Sequence, residues 1–230
     1  MKKLFLLSIF FLSSFLITAQ NAFTVVELSV KSGHGQAVAN LVESFMKDAK
    51  FKKGSGYALQ RMWQGSDERS HRLLWWGPLG NRGREDGDIK DYENSAFWSS
   101  LRAHLDGYGK AYSGRILDWK QGNDKQSNLL VYDVVVKNPT NYAKAHKNIL
   151  KKLGSSVFKN RTVAFGTYDV GRPGGATHWV LLSGEGTDDL IMMHKNLQEK
   201  YTQEITEYFT SRGEVIDLRD VRIERMAQYN

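Results

Sequence analysis

The sequence predicts an α+β fold in which two tandem ferredoxin-like (βαββαβ) units pack sheet to sheet as a pseudo-dimeric barrel. Three observations predict it: an internal repeat, apolar patterns that switch between strand and helix periods, and one strand in each half that is apolar on both faces. A strand that is apolar on both faces is buried on both faces, so each sheet needs helices on one side and a second sheet on the other.

The internal repeat consists of three matches that occur in the same order in both halves. They are Val25–Gly33 with Leu130–Pro139, His71–Gly77 with His178–Gly184, and Gly114–Lys120 with Gly213–Arg219. Glu27 lies 44 residues before His71. Asp133 lies 45 residues before His178, so the spacing is nearly constant. The third match comes later in the first half than in the second, which predicts an insertion there at residues 78–92.

The first half carries the pattern of six elements. Residues 23–31 alternate and are rich in valine, which predicts a strand. Residues 35–50 carry apolar side chains at three- and four-residue steps, and residues 92–107 carry one apolar stripe, so both are predicted helices. The remaining predicted strands are 56–64, 70–77 and 113–120.

The same order of elements recurs in the second half. The predicted elements are strand 128–137, helix 140–153, strand 162–170, strand 177–184, helix 188–210 and strand 213–225. Pro139 fits a helix start, because proline lacks the N–H group that has no partner there. The glycine-rich segment 171–175 precedes a strand rather than a helix, so we interpret it as a hairpin connection and not as a phosphate-binding loop.

The N-terminal residues have the features of a cleaved bacterial secretory signal. Lys2 and Lys3 precede an apolar run, Leu4–Ile17, that is too short for a transmembrane helix; an uncleaved anchor is the alternative. The predicted divisions are a signal peptide at 1–19, a first unit at 20–122 and a second unit at 123–230. We expect a periplasmic or secreted protein. It contains no cysteine, so no disulfide adds to its stability.

The chain has a formal net charge of +7, from 32 Lys and Arg against 25 Asp and Glu. The basic residues are scattered over predicted helix faces and helix ends, so we expect no nucleic-acid partner. No other apolar run approaches about 18 residues, so we expect no membrane span after the signal is removed. The expected partner is a small molecule, and the expected assembly is a monomer or a homodimer.

The order of the elements and their duplication resemble the dimeric α+β barrel superfamily, in a form that fuses two subunits into one chain. That superfamily includes antibiotic-biosynthesis-type monooxygenases, the NIPSNAP group, haem-degrading monooxygenases and chlorite-dismutase-like proteins. The resemblance covers residues 22–226 and rests on architecture, so it identifies no subfamily. It implies monooxygenase-like or haem-associated chemistry, with haem as the cofactor to consider.

Three histidines are the candidate catalytic or haem-binding residues: His71, His104 and His178. Histidine can ligate a metal or haem and can transfer a proton near neutral pH. His71 and His178 begin corresponding strands, however, and a duplicated histidine is also explained by a hydrogen bond to the adjacent loop. No metal site is predicted, because the histidines form no i,i+4 pair and there is no cysteine.

Glu27 and Asp133 are acidic residues in otherwise apolar first strands. A buried carboxylate is costly unless it is paired, and its pKa is often shifted. We expect either a polar patch inside the barrel that includes the acids of the fourth strands, or ion pairs with arginines on neighbouring strands. The acids of the fourth strands are Asp118 and Asp217, and the candidate arginines are Arg115, Arg219 and Arg222.

Five of the six tryptophans lie in the first half. Trp75 and Trp76 stand where the second half has Leu182 and Ser183. These aromatic side chains either fill the core or line an apolar pocket between the sheet and its helices. For the pocket, the candidate ligand-binding residues are Glu27, Trp75, Trp98, Tyr108 and Trp119. The insertion at 78–92 is then a mobile lid over the pocket or a solvated loop.

Three functions remain open from the sequence. The first is the binding of a small apolar or aromatic molecule in the first half. The second is an enzyme similar to the superfamily's oxygenases, cofactor-free or with haem, that uses one of the three histidines. The third is a structural or interaction protein with a fully packed barrel. A pocket beneath the tryptophans distinguishes the first two functions from the third.

Overall fold

The computed structural model describes residues 20–230, so the predicted signal peptide lies outside the described residues. This range contains eight β-strands and five α-helices. The strands are β1 (Asn21–Val30), β2 (Gly56–Gln64), β3 (His71–Pro78), β4 (Leu105–Lys120), β5 (Asn128–Val136), β6 (Val163–Thr167), β7 (His178–Gly184) and β8 (Val215–Tyr229). The helices are α1 (Gly35–Met46), α2 (Asp91–Ala103), α3 (Pro139–Leu153), α4 (Thr187–Lys200) and α5 (Thr202–Ser211).

The eight strands form one closed barrel in the order β1-β3-β2-β8-β5-β7-β6-β4, and neighbouring strands are antiparallel. β1 lies between β3 and β4, and β5 lies between β7 and β8, which is the strand arrangement of a ferredoxin-like unit. The two halves join at their edges through the β2–β8 and β4–β6 pairs. The predicted fold class is confirmed, and hydrogen-bonded edges close the two facing sheets into one barrel.

Side chains alternate between the barrel interior and an outer apolar layer. On β1, Val25 packs in the interior, whereas Leu28 packs beneath α1 and α2. The interior core takes side chains from both halves, including Phe23, Tyr112 and Trp179. The outer layers are separate, one under α1 and α2 and others under the helices of the second half. The interior is therefore a packed core that the two halves share.

The third sequence match is wrong as a structural correspondence. Val25 of β1 lies opposite Tyr112 of β4, and Val131 of β5 lies opposite Val221 of β8. Because Val25 and Val131 are equivalent positions in the first match, Tyr112 corresponds to Val221, whereas the 99-residue spacing of the third match would place it at Ser211. Long strands repeat simple apolar and charged patterns, so a short match within them does not determine the register.

Two predicted element boundaries are wrong. α2 ends at Ala103 and β4 begins at Leu105, where the pattern predicted continued helix. β4 is long because it pairs with β1 along its first part and with β6 along its last part. The helix predicted at 188–210 is two helices that meet at Tyr201, whose φ of −126° lies outside the helical region.

Candidate functional site

A cluster of charged and polar side chains lies inside the barrel, near the end where β1 and β5 finish. We call it the interior polar cluster, and its members are Glu27, Gln60, Arg72, Tyr112, Asp133, Tyr168 and Arg219. Arg219 on β8 donates from Nη2 to Glu27 Oε1 and from Nε to Asp133 Oδ2, both at 2.9 Å. Both carboxylates are almost fully buried, at 3% and 2% exposure. One guanidinium therefore joins the acids of both halves, as the ion-pair alternative predicted.

Two tyrosine hydroxyls complete the hydrogen bonding of these acids. Tyr112 donates to Glu27 at 3.1 Å, and Tyr168 donates to Asp133 at 2.5 Å. Burial raises the pKa of Asp133, against the opposing effects of Tyr168 and Arg219. Burial also raises the pKa of both tyrosines, so their hydroxyls stay protonated as donors near neutral pH.

Arg72 supplies the second positive charge of the interior polar cluster. It is buried, lies opposite Glu27 in the β1–β3 ladder, and donates from Nε to Gln60 at 2.6 Å. Two arginines thus balance two carboxylates. Because Arg219 bonds to one acid of each half, the arrangement links the two halves as a buried ion-pair network.

His71 and His178 occupy equivalent buried positions at the starts of β3 and β7. Nδ1 of His71 lies 3.0 Å from the Ser70 hydroxyl, and Nδ1 of His178 lies 2.9 Å from the Thr177 hydroxyl. Burial lowers the pKa of both histidines, that of His71 to about 4. Both rings are therefore neutral at pH 7 and are tied to the preceding residue, which matches the structural alternative for this duplicated pair.

His104 follows α2, where it faces His34 at the start of α1. Their Nδ1 atoms lie 3.0 Å apart. His71 comes near the same helix start, since its Nε2 lies 3.7 Å from the position that a Cβ at Gly35 would take. The sequence did not indicate that His104 would meet His34, because 70 residues separate them.

The predicted ligand-binding residues do not converge on one pocket. Trp75 and Trp98 both pack into the apolar layer under α1 and α2. Trp119 is 47% exposed near the end of β4, and Tyr108 is 40% exposed near its beginning. Glu27 lies inside the barrel with the interior polar cluster. These positions belong to different layers of the molecule.

His146 on α3 is the most deeply buried histidine, at 2% exposure. Its Nε2 has no hydrogen-bond partner among residues 20–230, and the carboxylate of Asp118 lies 4.0 Å away. Burial lowers the pKa of His146 to about 4, and Asp118 offsets this in part. Asp217, the corresponding acid predicted on β8, is exposed. Neither of these two acids joins the interior polar cluster, so that alternative is wrong.

The buried neutral histidines predict acid destabilisation. In the unfolded chain His146 takes up a proton near its ordinary pKa of 6.5, but in the folded protein only near 4. Stability that is present above pH 6.5 should therefore be lost as the pH falls towards 4, by on the order of 1–3 kcal/mol for this residue. Urea denaturation over this range measures it. His146→Gln should reduce the change of the free energy of unfolding with pH over this range. Lys147→Gln, at an exposed neighbour, should leave that change as it is. If the free energy of unfolding of His146→Gln falls as steeply with pH as that of the unchanged protein, the prediction is contradicted.

A surface cleft of about 270 Å³ opens at the other end of the barrel, where β3 and β8 finish. We call it the end cleft, and its lining residues are Phe51, Lys52, Lys53, Gly54, Ser55, Trp76, Gln228 and Asn230. The Trp76 indole lies against Gly56 of β2, where a Cβ would overlap the ring. Another part of the same indole packs on the interior core. Trp76, rather than Trp75, is therefore the tryptophan that lines a cleft.

The predicted insertion in the first half packs beside the end cleft. Gly83 donates to Ser55 Oγ at 3.1 Å and accepts from the N–H of Lys52 at 3.0 Å. The Lys52 ammonium also pairs with Asp86 at 2.7 Å. These bonds hold the insertion against the segment that lines the cleft, so it supports one wall of the cleft.

Lys53 gives the end cleft a positive charge. Its side chain is exposed, and it forms no ion pair within residues 20–230. Gln228 and Asn230 add amide groups from the C-terminal strand. Sequence reasoning missed these residues because only the β2–β8 pairing brings the end of the chain to the beginning of β2. No short motif signals such a long-range meeting.

Haem is the cofactor that the resemblance implies, and it needs an axial nitrogen that faces an open slot. His71 and His178 are buried, and Nδ1 of each lies within hydrogen-bond distance of a hydroxyl. Nδ1 of His104 lies within hydrogen-bond distance of His34. The three predicted histidines therefore do not fit a haem ligand. Within residues 20–230, no group of three or more His, Cys, Asp or Glu side chains is placed to hold a metal ion. No helix in this part of the chain is long and apolar enough to cross a membrane.

Comparisons with known proteins support the fold. No protein-family model matches the chain, and no curated protein matches its sequence. A proposed monooxygenase of Fusobacterium nucleatum aligns with a TM-score of 0.60 at 13% identity, over 93% of this chain and 96% of that one. A second proposed monooxygenase, from Lactobacillus acidophilus, aligns with a TM-score of 0.59 at 11% identity, over 92% of this chain and 96% of that one. A proposed chlorite dismutase aligns with a TM-score of 0.51 at 10% identity, over 90% of this chain and 95% of that one. The chain therefore has the dimeric α+β barrel fold, with both halves of the barrel in one polypeptide.

Proposed function

We propose that this protein binds a small planar anion, of the aromatic carboxylate class, in the end cleft. The observation that carries the proposal is one cleft of about 270 Å³ that is lined by both Trp76 and Lys53. An indole face stacks on a planar ring, and a lysine attracts a carboxylate as a compact point charge. The two groups together select a ring that carries a negative charge.

The other groups that line the end cleft suit such a ligand. Gln228 and Asn230 carry amides that can donate hydrogen bonds to a carboxylate or to a ring substituent. The volume lies just below the range of about 300–1,000 Å³ that is typical of small-molecule pockets, so the ligand should be small. A ligand of one ring or two fused rings therefore fits the cleft.

The proposal keeps the predicted aromatic ligand in the first half but changes its position and its chemistry. The apolar layer under α1 and α2 is filled by side chains, among them Trp75 and Trp98. A cleft with an exposed lysine favours a charged ring over an apolar molecule. We propose further that the protein is exported, as its N-terminal segment predicts, which would place the cleft in the periplasm or outside the cell.

We expect 4-hydroxybenzoate to bind more tightly than its neutral analogue 4-hydroxybenzamide. Lys53→Gln should weaken 4-hydroxybenzoate binding about fivefold, because a charged contact at an exposed site contributes about 1 kcal/mol. The same change should leave 4-hydroxybenzamide binding unaltered. Trp76→Phe should remove most of the ligand-dependent change in tryptophan fluorescence. Isothermal titration calorimetry gives the dissociation constants.

Two matched variants control this experiment. Lys47→Gln removes an exposed positive charge just after α1, and Trp63→Phe removes an indole on β2 that is 44% exposed and lies outside the cleft. Neither change should alter binding. If Lys53→Gln binds 4-hydroxybenzoate as tightly as the unchanged protein does, and Trp76→Phe keeps the full ligand-dependent fluorescence change, the end cleft is not the site.

Oxidation of the bound ring is the second candidate function. It is supported by the likeness in fold to two proteins named as monooxygenases. In such a reaction one atom of O2 would enter the ring and the other would leave as water, with two electrons taken from an added reductant. Mass spectrometry of the ligand recovered after incubation in air with a two-electron reductant such as NADH separates the two functions, since a gain of oxygen that depends on the protein indicates an enzyme and an unchanged ligand indicates a binding protein. If neither ligand binds, the packed barrel favours a structural or interaction protein.

A further inference from the structure

We propose that His34 and His104 form a two-histidine site for a divalent transition-metal ion of the Ni²⁺ or Cu²⁺ class. His34 immediately precedes α1 and His104 immediately follows α2. Their Nδ1 atoms face each other at 3.0 Å, and both side chains are half-buried. The site shares no residue with the end cleft, so it stands independently of the proposed ligand binding.

The backbone around the two histidines is tied together through Lys31. The N–H of Lys31 donates to the carbonyl of His104 at 3.0 Å, and the N–H of His34 donates to the carbonyl of Lys31 at 3.0 Å. These bonds hold the end of α2 against the start of α1. The rings therefore meet on fixed backbone, and a metal ion would find its two ligands already positioned.

The separation of the two nitrogens is the basis for the class of metal that we propose. Imidazole nitrogens bind divalent metals at about 2.0–2.1 Å, and at that length nitrogens 3.0 Å apart subtend about 91–97° at the ion. A right angle between adjacent ligands is the geometry of square-planar or octahedral ions, which for nitrogen ligands favours Cu²⁺ and Ni²⁺. Tetrahedral Zn²⁺ would need the nitrogens about 3.3–3.4 Å apart. Water would fill the remaining positions.

Metal binding needs both Nδ1 atoms free of a proton. A hydrogen bond between two Nδ1 atoms needs one ring with its proton on Nδ1 and the other with its proton on Nε2. When both Nδ1 atoms bind the ion, the first ring moves its proton to Nε2 through solvent.

One positive charge opposes the ion. The Lys31 ammonium donates to the carbonyl of Ala103, at 2.9 Å, one residue before His104. The helix dipoles act in both senses, because the carbonyl end of α2 attracts a cation whereas the N-terminal end of α1, beside His34, repels one. Removal of the lysine charge should therefore strengthen metal binding, a result that no general loss of structure would produce.

The test is calorimetric titration of the tag-free chain with NiCl₂ and CuCl₂, together with thermal unfolding in Ni²⁺. We expect saturable one-to-one binding and a Ni²⁺-dependent rise in Tm. His104→Ala and His34→Ala should each weaken binding at least about tenfold and abolish the rise. Lys31→Met should tighten binding, and Ni²⁺ should bind at least as tightly as Zn²⁺.

His194→Ala is the matched control, because this half-buried histidine contacts Tyr132 at 2.9 Å and lies on α4. It should leave metal binding unchanged. The absence of saturable binding for both ions would overturn the proposal, as would binding that survives both His34→Ala and His104→Ala. Tighter binding of Zn²⁺ than of Ni²⁺ would overturn the assignment of the metal class.

Discussion

Arg219→Met is expected to lower the free energy of unfolding by about 3–5 kcal/mol. The substitution leaves Glu27 and Asp133 buried, at 3% and 2% exposure, without the guanidinium that bonds to both of them. Methionine is long and flexible enough to occupy much of the same space, so the loss comes from unpaired buried charge rather than from a cavity. Urea denaturation at neutral pH, followed by tryptophan fluorescence, measures the change.

The pH dependence of this loss distinguishes unpaired charge from poor packing. Burial already raises the pKa of Asp133 in the native protein, and removal of Arg219 removes an effect that opposes the rise. A carboxyl whose folded pKa is raised favours the folded state at low pH and loses that contribution as the pH rises through the folded pKa. The difference in stability between the variant and the native protein should therefore narrow from about pH 7 to about pH 5.

Two further proteins complete the experiment on Arg219. Combining Arg219→Met with Glu27→Gln and Asp133→Asn removes the charges together and should recover most of the lost stability. Arg115→Met breaks an exposed pair with Asp169, whose side chains are 45% and 39% exposed, and should cost less than about 1 kcal/mol. If Arg219→Met costs no more than Arg115→Met, the interior polar cluster does not hold the two halves together.

The fold was predictable because local patterns and the repeat agreed with each other. The alternation in β1 places Val25 inside and Leu28 outside, and the shared His71 and His178 mark equivalent strands of the two halves. The length of β4 was not predictable, because its last part is a strand only through its pairing with β6 of the other half. Such pairing depends on barrel closure, which no local pattern records.

The candidate sites were predicted less well than the fold, for a related reason. The contrast of Trp75 and Trp76 with Leu182 and Ser183 pointed to β3, but Trp76 lines the end cleft only because the end of β8 lies beside β2. The pairing of Glu27 and Asp133 with Arg219 was among the predicted alternatives, because buried acids on central strands need a partner. Both clefts and side-chain pairs depend on which strand lies next to which, and the sequence alone constrains that only through the repeat.

Gly114→Ala is expected to lower the free energy of unfolding by about 3 kcal/mol, through the junction between β4 and β6. A methyl group at Gly114 would overlap the carbonyl oxygen of Thr167, and one at Gly166 would overlap the carbonyl oxygen of Arg115. These obstacles are main-chain atoms of paired strands, so they cannot move aside without breaking the ladder. Because β4–β6 is one of the two junctions between the halves, loss of its hydrogen bonds opens the closed barrel.

Gly107→Ala is the matched control for Gly114→Ala, because it lies on the same strand and has nothing within 4 Å of the added methyl group. It should leave the stability unchanged or raise it slightly, since alanine restricts the unfolded chain more than glycine does. Hydrogen exchange locates the effect: in Gly114→Ala the amides of the β4–β6 pair should lose protection before those of the β2–β8 pair. Equal protection at the two junctions, or equal stability of the two variants, would show that the close approach of β4 and β6 does not control closure of the barrel.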